Sequence, residues 1–149
     1  MKTIICGIGN KMKGDDAVGS IIAGELRSEN FNKEILVLDC GSAPENFTGK
    51  IKTFGPEHVI IVDAVKMGKE PGSVEKINTD NLQELLFSTH QASLRLLISY
   101  IKKELPKTKM SFIGIEPKHT MFGENMSEEV MQALEQVKLN ITKTLKGAK

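Results

Sequence analysis

At 149 residues, with 20 Lys plus Arg against 19 acidic residues, the chain has the length of one domain and no charge excess with which to recruit nucleic acid. Its six Phe and single Tyr form no base-stacking pattern, and no stretch approaches the roughly 18 apolar residues of a membrane span. The apolar start is broken at Gly7, too early for a signal peptide, so the composition points to a soluble cytoplasmic domain over 1–149 with no nucleic-acid or membrane partner.

Apolar β-branched runs alternate with segments of helical period, the signature of an α/β fold. Thr3–Cys6 reads as the first strand. Val18, Ile21, Ile22 and Leu26 then recur at helical spacing in a helix beginning near Asp16. Ile35–Leu38 and His58–Val62 read as further strands; both are nearly continuous apolar runs, as in parallel strands covered on both faces. Phe47–Phe54 reads as a short helix or an edge strand. Gly68, Pro71 and Gly72 make Met67–Gly72 a loop, and Val74–Ile77 an edge strand after it. Leu94, Leu97, Ile98, Ile101 and Leu105 form a helical stripe stopped by Pro106. Met110–Ile115 is another strand. Val130, Leu134, Val137, Ile141 and Leu145 mark the last helix, with Glu128 and Glu129 in its first turn favouring the helix dipole. The expected architecture is a single αβα domain, a twisted, mostly parallel sheet flanked by helices on both faces.

The first strand runs into Gly7-Ile8-Gly9-Asn10 and then Gly14-Asp15-Asp16. A glycine loop between strand and helix invites a dinucleotide reading, with Asp39 as the ribose-binding acid. Met12 stands where the third glycine belongs, and two carboxylates at the helix start would repel a pyrophosphate. One Asp suffices to cap that helix, which leaves its neighbour for another task. The glycines themselves fit either tight turns or close approach of a substrate backbone.

Asp63 ends the third strand where the chain leaves the sheet, a position that is costly for an acid unless it is paired, hydrogen-bonded or metal-bound. His90 directly precedes the Leu94–Leu105 helix. Asp16, Asp63 and His90 are two carboxylates and an imidazole at element ends on one presumed rim. Such a set suits nickel or zinc, with coordination positions left for substrate. No H-E-x-x-H or C-x-x-C certifies a metal, so turn capping and a surface His remain open on residue types alone. His119 is a remote fourth candidate, and His58 lies at the end of its strand opposite the crevice. Gly41-Ser42-Ala43-Pro44-Glu45 does not make a G-x-S-x-G elbow. Cys6 and Cys40 end apolar runs and read as free, core-side thiols, whose burial raises the thiol pKa.

Taken together, Gly9-Asn10, Gly14-Asp15-Asp16-Ala17-Val18-Gly19, Asp39-Cys40-Gly41-Ser42-Ala43-Pro44-Glu45-Asn46, Ile60-Ile61-Val62-Asp63-Ala64 and Thr89-His90 resemble the [NiFe]-hydrogenase maturation endopeptidases. The likeness is to the branch serving the formate-hydrogenlyase type of hydrogenase, and it runs over nearly the whole chain. The resemblance implies an αβα fold and Asp16, Asp63 and His90 as first, second and third metal-binding residues, which also carry the catalysis. It implies removal of a C-terminal extension from the hydrogenase large-subunit precursor once nickel is in place, the nickel being supplied by the substrate, with other divalent metals able to substitute. A monomer is expected. The competing readings are a nickel-binding maturation chaperone without peptidase activity and a generic metal-dependent hydrolase.

Overall fold

Strand β1 (Thr3–Ile8) is buried at every position, which explains why its sequence shows no polar alternation: it lies inside the sheet with helices over both faces. The structure, a computed structural model, describes residues 1–77 and 92–147. After β1 a 3-10 turn, Gly14–Ala17, leads into α1 (Val18–Leu26). Then follow β2 (Ile35–Gly41), a second 3-10 turn at Pro44–Phe47, α2 (Thr48–Phe54), β3 (His58–Ala64) and β4 (Val74–Ile77). Beyond the gap come α3 (Ala92–Glu104), β5 (Lys109–Ile115) and α4 (Glu128–Gly147). The Phe47–Phe54 segment is thus helical. The first three strands each run two or three residues past the ends expected from the apolar pattern, because polar and glycine residues at their C-terminal ends continue the ladder.

The strand order is β2-β1-β3-β5-β4, with every pair parallel except β4 against β5. The chain therefore leaves β1 toward one side for β2 and comes back on the other side for β3. That reversal opens a crevice beyond the carboxyl ends of β1 and β3, the place where open α/β sheets bind ligands.

One sheet face, carrying Ile4, Cys6, Val59, Ile61 and Phe112, packs under α2 and α3 through Ile51, Leu94, Leu97 and Ile101. The opposite face, with Ile5 and Val62, packs under α1 and α4 through Val18, Ile22, Val130 and Val137. The αβα sandwich predicted by the apolar periods is what forms.

The glycines of the first loop serve this packing. A Cβ on Gly7 would overlap the carbonyl of Gly19, and one on Gly19 would overlap the carbonyls of Ile8 and Val62. Helix α1 consequently enters directly against β1 and β3. The loop after β3 is held from β5: Glu116, only 6% exposed, accepts hydrogen bonds from the N–H groups of Met67 at 2.7 Å and Lys69 at 3.1 Å. Among the described residues no helix is long and apolar enough to cross a membrane.

Candidate active site

Asp16 sits in the 3-10 turn after β1, half-buried, where its Oδ2 accepts a hydrogen bond from the Asn10 N–H at 3.2 Å. Asp63 is the penultimate residue of β3 and is 2% exposed. It lies within the strand rather than after it, since Asp63 and Ala64 still pair with Gly114 and Ile115 of β5. Asp16 follows β1 and Asp63 lies at the end of the neighbouring β3, so the two acids flank the crevice. Both line one cleft of about 360 Å³, together with Gly9, Lys13, Ser42 and Pro44. Ala92, Ser93 and Leu94, the first turn of α3, form another part of its wall. His90 lies outside the described residues.

Asp15, the neighbour of Asp16, points the other way. It is fully buried, and its Oδ2 accepts from the N–H groups of Lys118 at 2.7 Å and His119 at 2.9 Å and from the Ser127 hydroxyl at 2.8 Å. Its Oδ1 accepts from the Ser127 N–H at 2.7 Å. Burial pushes this carboxyl up, but the backbone donors of His119, Ser127 and Lys118 and the Ser127 hydroxyl outweigh burial and hold it below the ordinary Asp range. Neither Asp makes a side-chain cap to the turn or to α1. The capping expectation gives way to a tether: Asp15 binds the loop before α4, while Ser127 also accepts from the Val130 N–H at 3.4 Å, within the first turn of α4.

Asp39, near the end of β2, accepts from the Ser20 hydroxyl at 2.5 Å and the Gly41 N–H at 3.2 Å, and pairs with Lys11 at 3.0 Å. Burial raises this carboxyl, and the bonds from Ser20, Lys11 and Gly41 together bring it below its usual value. An acid so occupied ties the loop of Lys11 and the helix of Ser20 to β2 and is a structural element of the rim. Cys6 and Cys40 are free, buried thiols with sulfurs 2.7 Å apart. Contact with Cys40 and burial push the Cys6 thiol well up, the opposite of what a thiolate nucleophile requires.

His119 contributes mainly its backbone, which donates to Asp15 and accepts from the Asp15 N–H at 2.6 Å; its ring faces Glu124 from an exposed loop, with Nδ1 and Oε2 3.7 Å apart. His58 opens β3 at the far end of the sheet, hydrogen-bonded to Ser111 at 2.7 Å. Lys13 and Ser42 are cleft residues that the sequence reading missed. Lys13 is an unassigned position inside the G-N-x-x-x-G-D-D run, and Ser42 stands in the D-x-G-S-A-P-E-N run with no role of its own.

Two carboxylates on a small cleft, with lysine, serine and glycine residues in its walls, can take up a cation, orient an extended peptide and activate water. Among the described residues no group of three or more His, Cys, Asp and Glu side chains is arranged to hold a metal by itself.

Residues 21–144 match the HycI hydrogenase maturation protease family. The hydrogenase 3 maturation protease of Escherichia coli is 33% identical over 138 residues, covering 92% of this chain and 86% of that protein. The crystal structure of the [NiFe] hydrogenase maturation protease HycI from Thermococcus kodakarensis superposes with a TM-score of 0.88 at 35% identity, over 97% of this chain and 92% of the other. The solution structure of the endopeptidase HycI from Escherichia coli gives 0.84 at 32% identity, over 99% and 90%. A family match over most of the chain, with relatives above 30% identity that it covers almost end to end, leaves one conclusion: this chain belongs to the HycI family of hydrogenase maturation proteases.

Proposed function

We propose that the protein removes the C-terminal extension of a [NiFe]-hydrogenase large-subunit precursor after nickel insertion, and that Asp16, Asp63 and His90 recognise the nickel that the substrate carries. What supports this most directly is the meeting of Asp16 and Asp63 in one cleft, which the first turn of α3 also lines. His90 precedes that turn by two residues. Two oxygen donors with one imidazole make an incomplete set for a borderline divalent ion. Such a set is suited to an ion whose remaining ligands come from the precursor, and zinc or another divalent ion at the same place would meet the same donors.

On this reading a precursor lacking nickel offers the carboxylates nothing to hold, so the scissile bond is not presented. With nickel in place, Asp16 and Asp63 fix the precursor's C-terminal segment across the cleft. A carboxylate of this pair takes a proton from water lying within about 3 Å of it, the water adds to the peptide carbonyl, and the C–N bond breaks as that proton passes to the leaving amine. The protein acts as a monomer in the cytoplasm, where its two free thiols are at home.

Mass spectrometry of precursor incubated with the protein, with and without nickel, tests the reading. The expected result is a discrete C-terminal mass loss in the nickel-loaded sample alone. Binding without any mass change would make the protein a chaperone. Equal cleavage of both samples would remove nickel from the recognition step.

A further inference from the structure

We infer that Met12, Met121 and Phe122 form a docking patch for the folded body of the precursor, beside the cleft that takes its C-terminal segment. The inference rests on the processing reaction proposed above and adds where the bulk of the substrate sits. Large apolar side chains exposed singly are ordinary on protein surfaces, whereas clusters mark interaction sites. Among the described residues eight large apolar side chains are exposed, and three of them fall on two loops that touch each other. Met12 is 69%, Met121 71% and Phe122 66% exposed.

The two loops behave as one body. The Gly123 N–H donates to the Met12 carbonyl at 2.9 Å, and the Asp15 N–H to the His119 carbonyl at 2.6 Å. The Asp15 carboxylate takes its donors from Lys118, His119 and Ser127, across the same junction. Gly14 has a φ of +50°, and a Cβ there would come within 2.5 Å of the His119 carbonyl oxygen, so the loops approach backbone to backbone. A patch standing on such a base loses little backbone freedom on binding. Methionine side chains adapt to the shape of a partner, and a ring beside them supplies a rigid anchor.

Continuity with the cleft decides the occupant. Lys13 lines the cleft, and its ammonium lies 4.9 Å from the centroid of the Phe122 ring, so cleft and patch share a residue. A cleft of about 360 Å³ is at the small end of ligand pockets and holds a short stretch of chain, not a protein. A stable protein–protein contact buries about 800 Å² on each side, so a folded substrate whose tail enters the cleft must also rest on the rim, where this apolar ground adjoins it.

The test uses Phe122→Glu, Met12→Glu and the milder double variant Met121→Ala/Phe122→Ala, with Leu139→Glu on exposed α4 surface as control. Affinity for nickel-loaded precursor is measured by surface plasmon resonance, alongside KM and kcat for processing. The patch variants are expected to weaken binding and raise KM roughly tenfold or more with kcat little changed, and Leu139→Glu to match wild type. Unchanged affinity in all three patch variants overturns the inference, as does wild-type protein that binds no loaded precursor. Wild type that binds but does not cleave defeats the processing reading and leaves the docking result to be read from affinity alone. Sedimentation velocity showing a wild-type dimer that Phe122→Glu dissociates would assign the patch to a second copy of this chain, and the inference fails.

Discussion

Asp15 and Asp16 are adjacent in the chain and face opposite surroundings: one is sealed in donors from the loop before α4, the other opens on the cleft. Removing the Asp15 carboxylate strands three backbone N–H groups, that of Ser127 buried and those of Lys118 and His119 part-buried, each worth about 1–3 kcal/mol when left without an acceptor away from water. Asp15→Ala is therefore expected to lower stability in urea unfolding by roughly 3–5 kcal/mol. Asp16→Ala gives up one 3.2 Å bond from Asn10, should stay within about 1 kcal/mol of wild type, and should still reduce processing at least about a hundredfold. Equal losses of stability in the two variants would refute this division. Asp15 also sets an acid limit. Its carboxyl is held below the ordinary value in the folded state, so the unfolded chain binds its proton first as pH falls. The stabilisation is complete above the unfolded pKa of about 3.9 and is lost as pH drops through the folded one. Denaturation midpoints measured from pH 6 down to pH 2.5 should fall more gently for Asp15→Asn than for wild type. From the sequence the Asp pair was legible as an acidic helix entrance, but not which member did what, because the donors that claim Asp15 lie more than a hundred positions away.

Helix α1 shows how a glycine acquires its meaning from what packs on it. Gly19 faces β1 and β3 so closely that any Cβ would strike the Ile8 and Val62 carbonyls, whereas Gly24, on the exposed side of the same helix, has nothing within 4 Å. Gly19→Ala must push the helix off the sheet and is expected to destabilise by about 3 kcal/mol or more. Gly24→Ala should stabilise by about 0.5–1 kcal/mol through helix propensity and a less flexible unfolded chain. Opposite shifts in thermal midpoint check the pair; a neutral Gly19→Ala would show that the close approach is relaxed in solution. Element types were readable along the described chain because apolar period separates a two-faced strand from a one-faced helix. Strand ends were not, since Asp39-Cys40-Gly41 and Asp63-Ala64 break the apolar runs while their backbones keep the ladder.

Across the whole molecule, two apolar layers share one sheet: Ile22 lies in the layer under α1 and α4, Ile98 in the layer under α2 and α3. Because neither layer can lose its strands without stripping the other, unfolding should be a single cooperative transition. Tyr100, the only tyrosine in a chain without tryptophan, reports from α3, on the side away from Ile22. Ile22→Ala and Ile98→Ala are each expected to cost about 2–5 kcal/mol and to move the Tyr100 fluorescence and far-ultraviolet circular dichroism midpoints together. Separate midpoints in Ile22→Ala would mean that the layers unfold independently. The sequence by itself determined the layered α/β class, the family and the candidate acids, because apolar period, glycine placement and the G-N-x-x-x-G-D-D and D-x-G-S-A-P-E-N runs are local features. Only the tertiary structure decided that Asp16 and Asp63 share a cleft, that Asp15 and Glu116 are tethers, and that Met12 stands beside Phe122. Those facts depend on strand order and on backbone donors brought together from distant loops, and a linear chain carries no local mark of either.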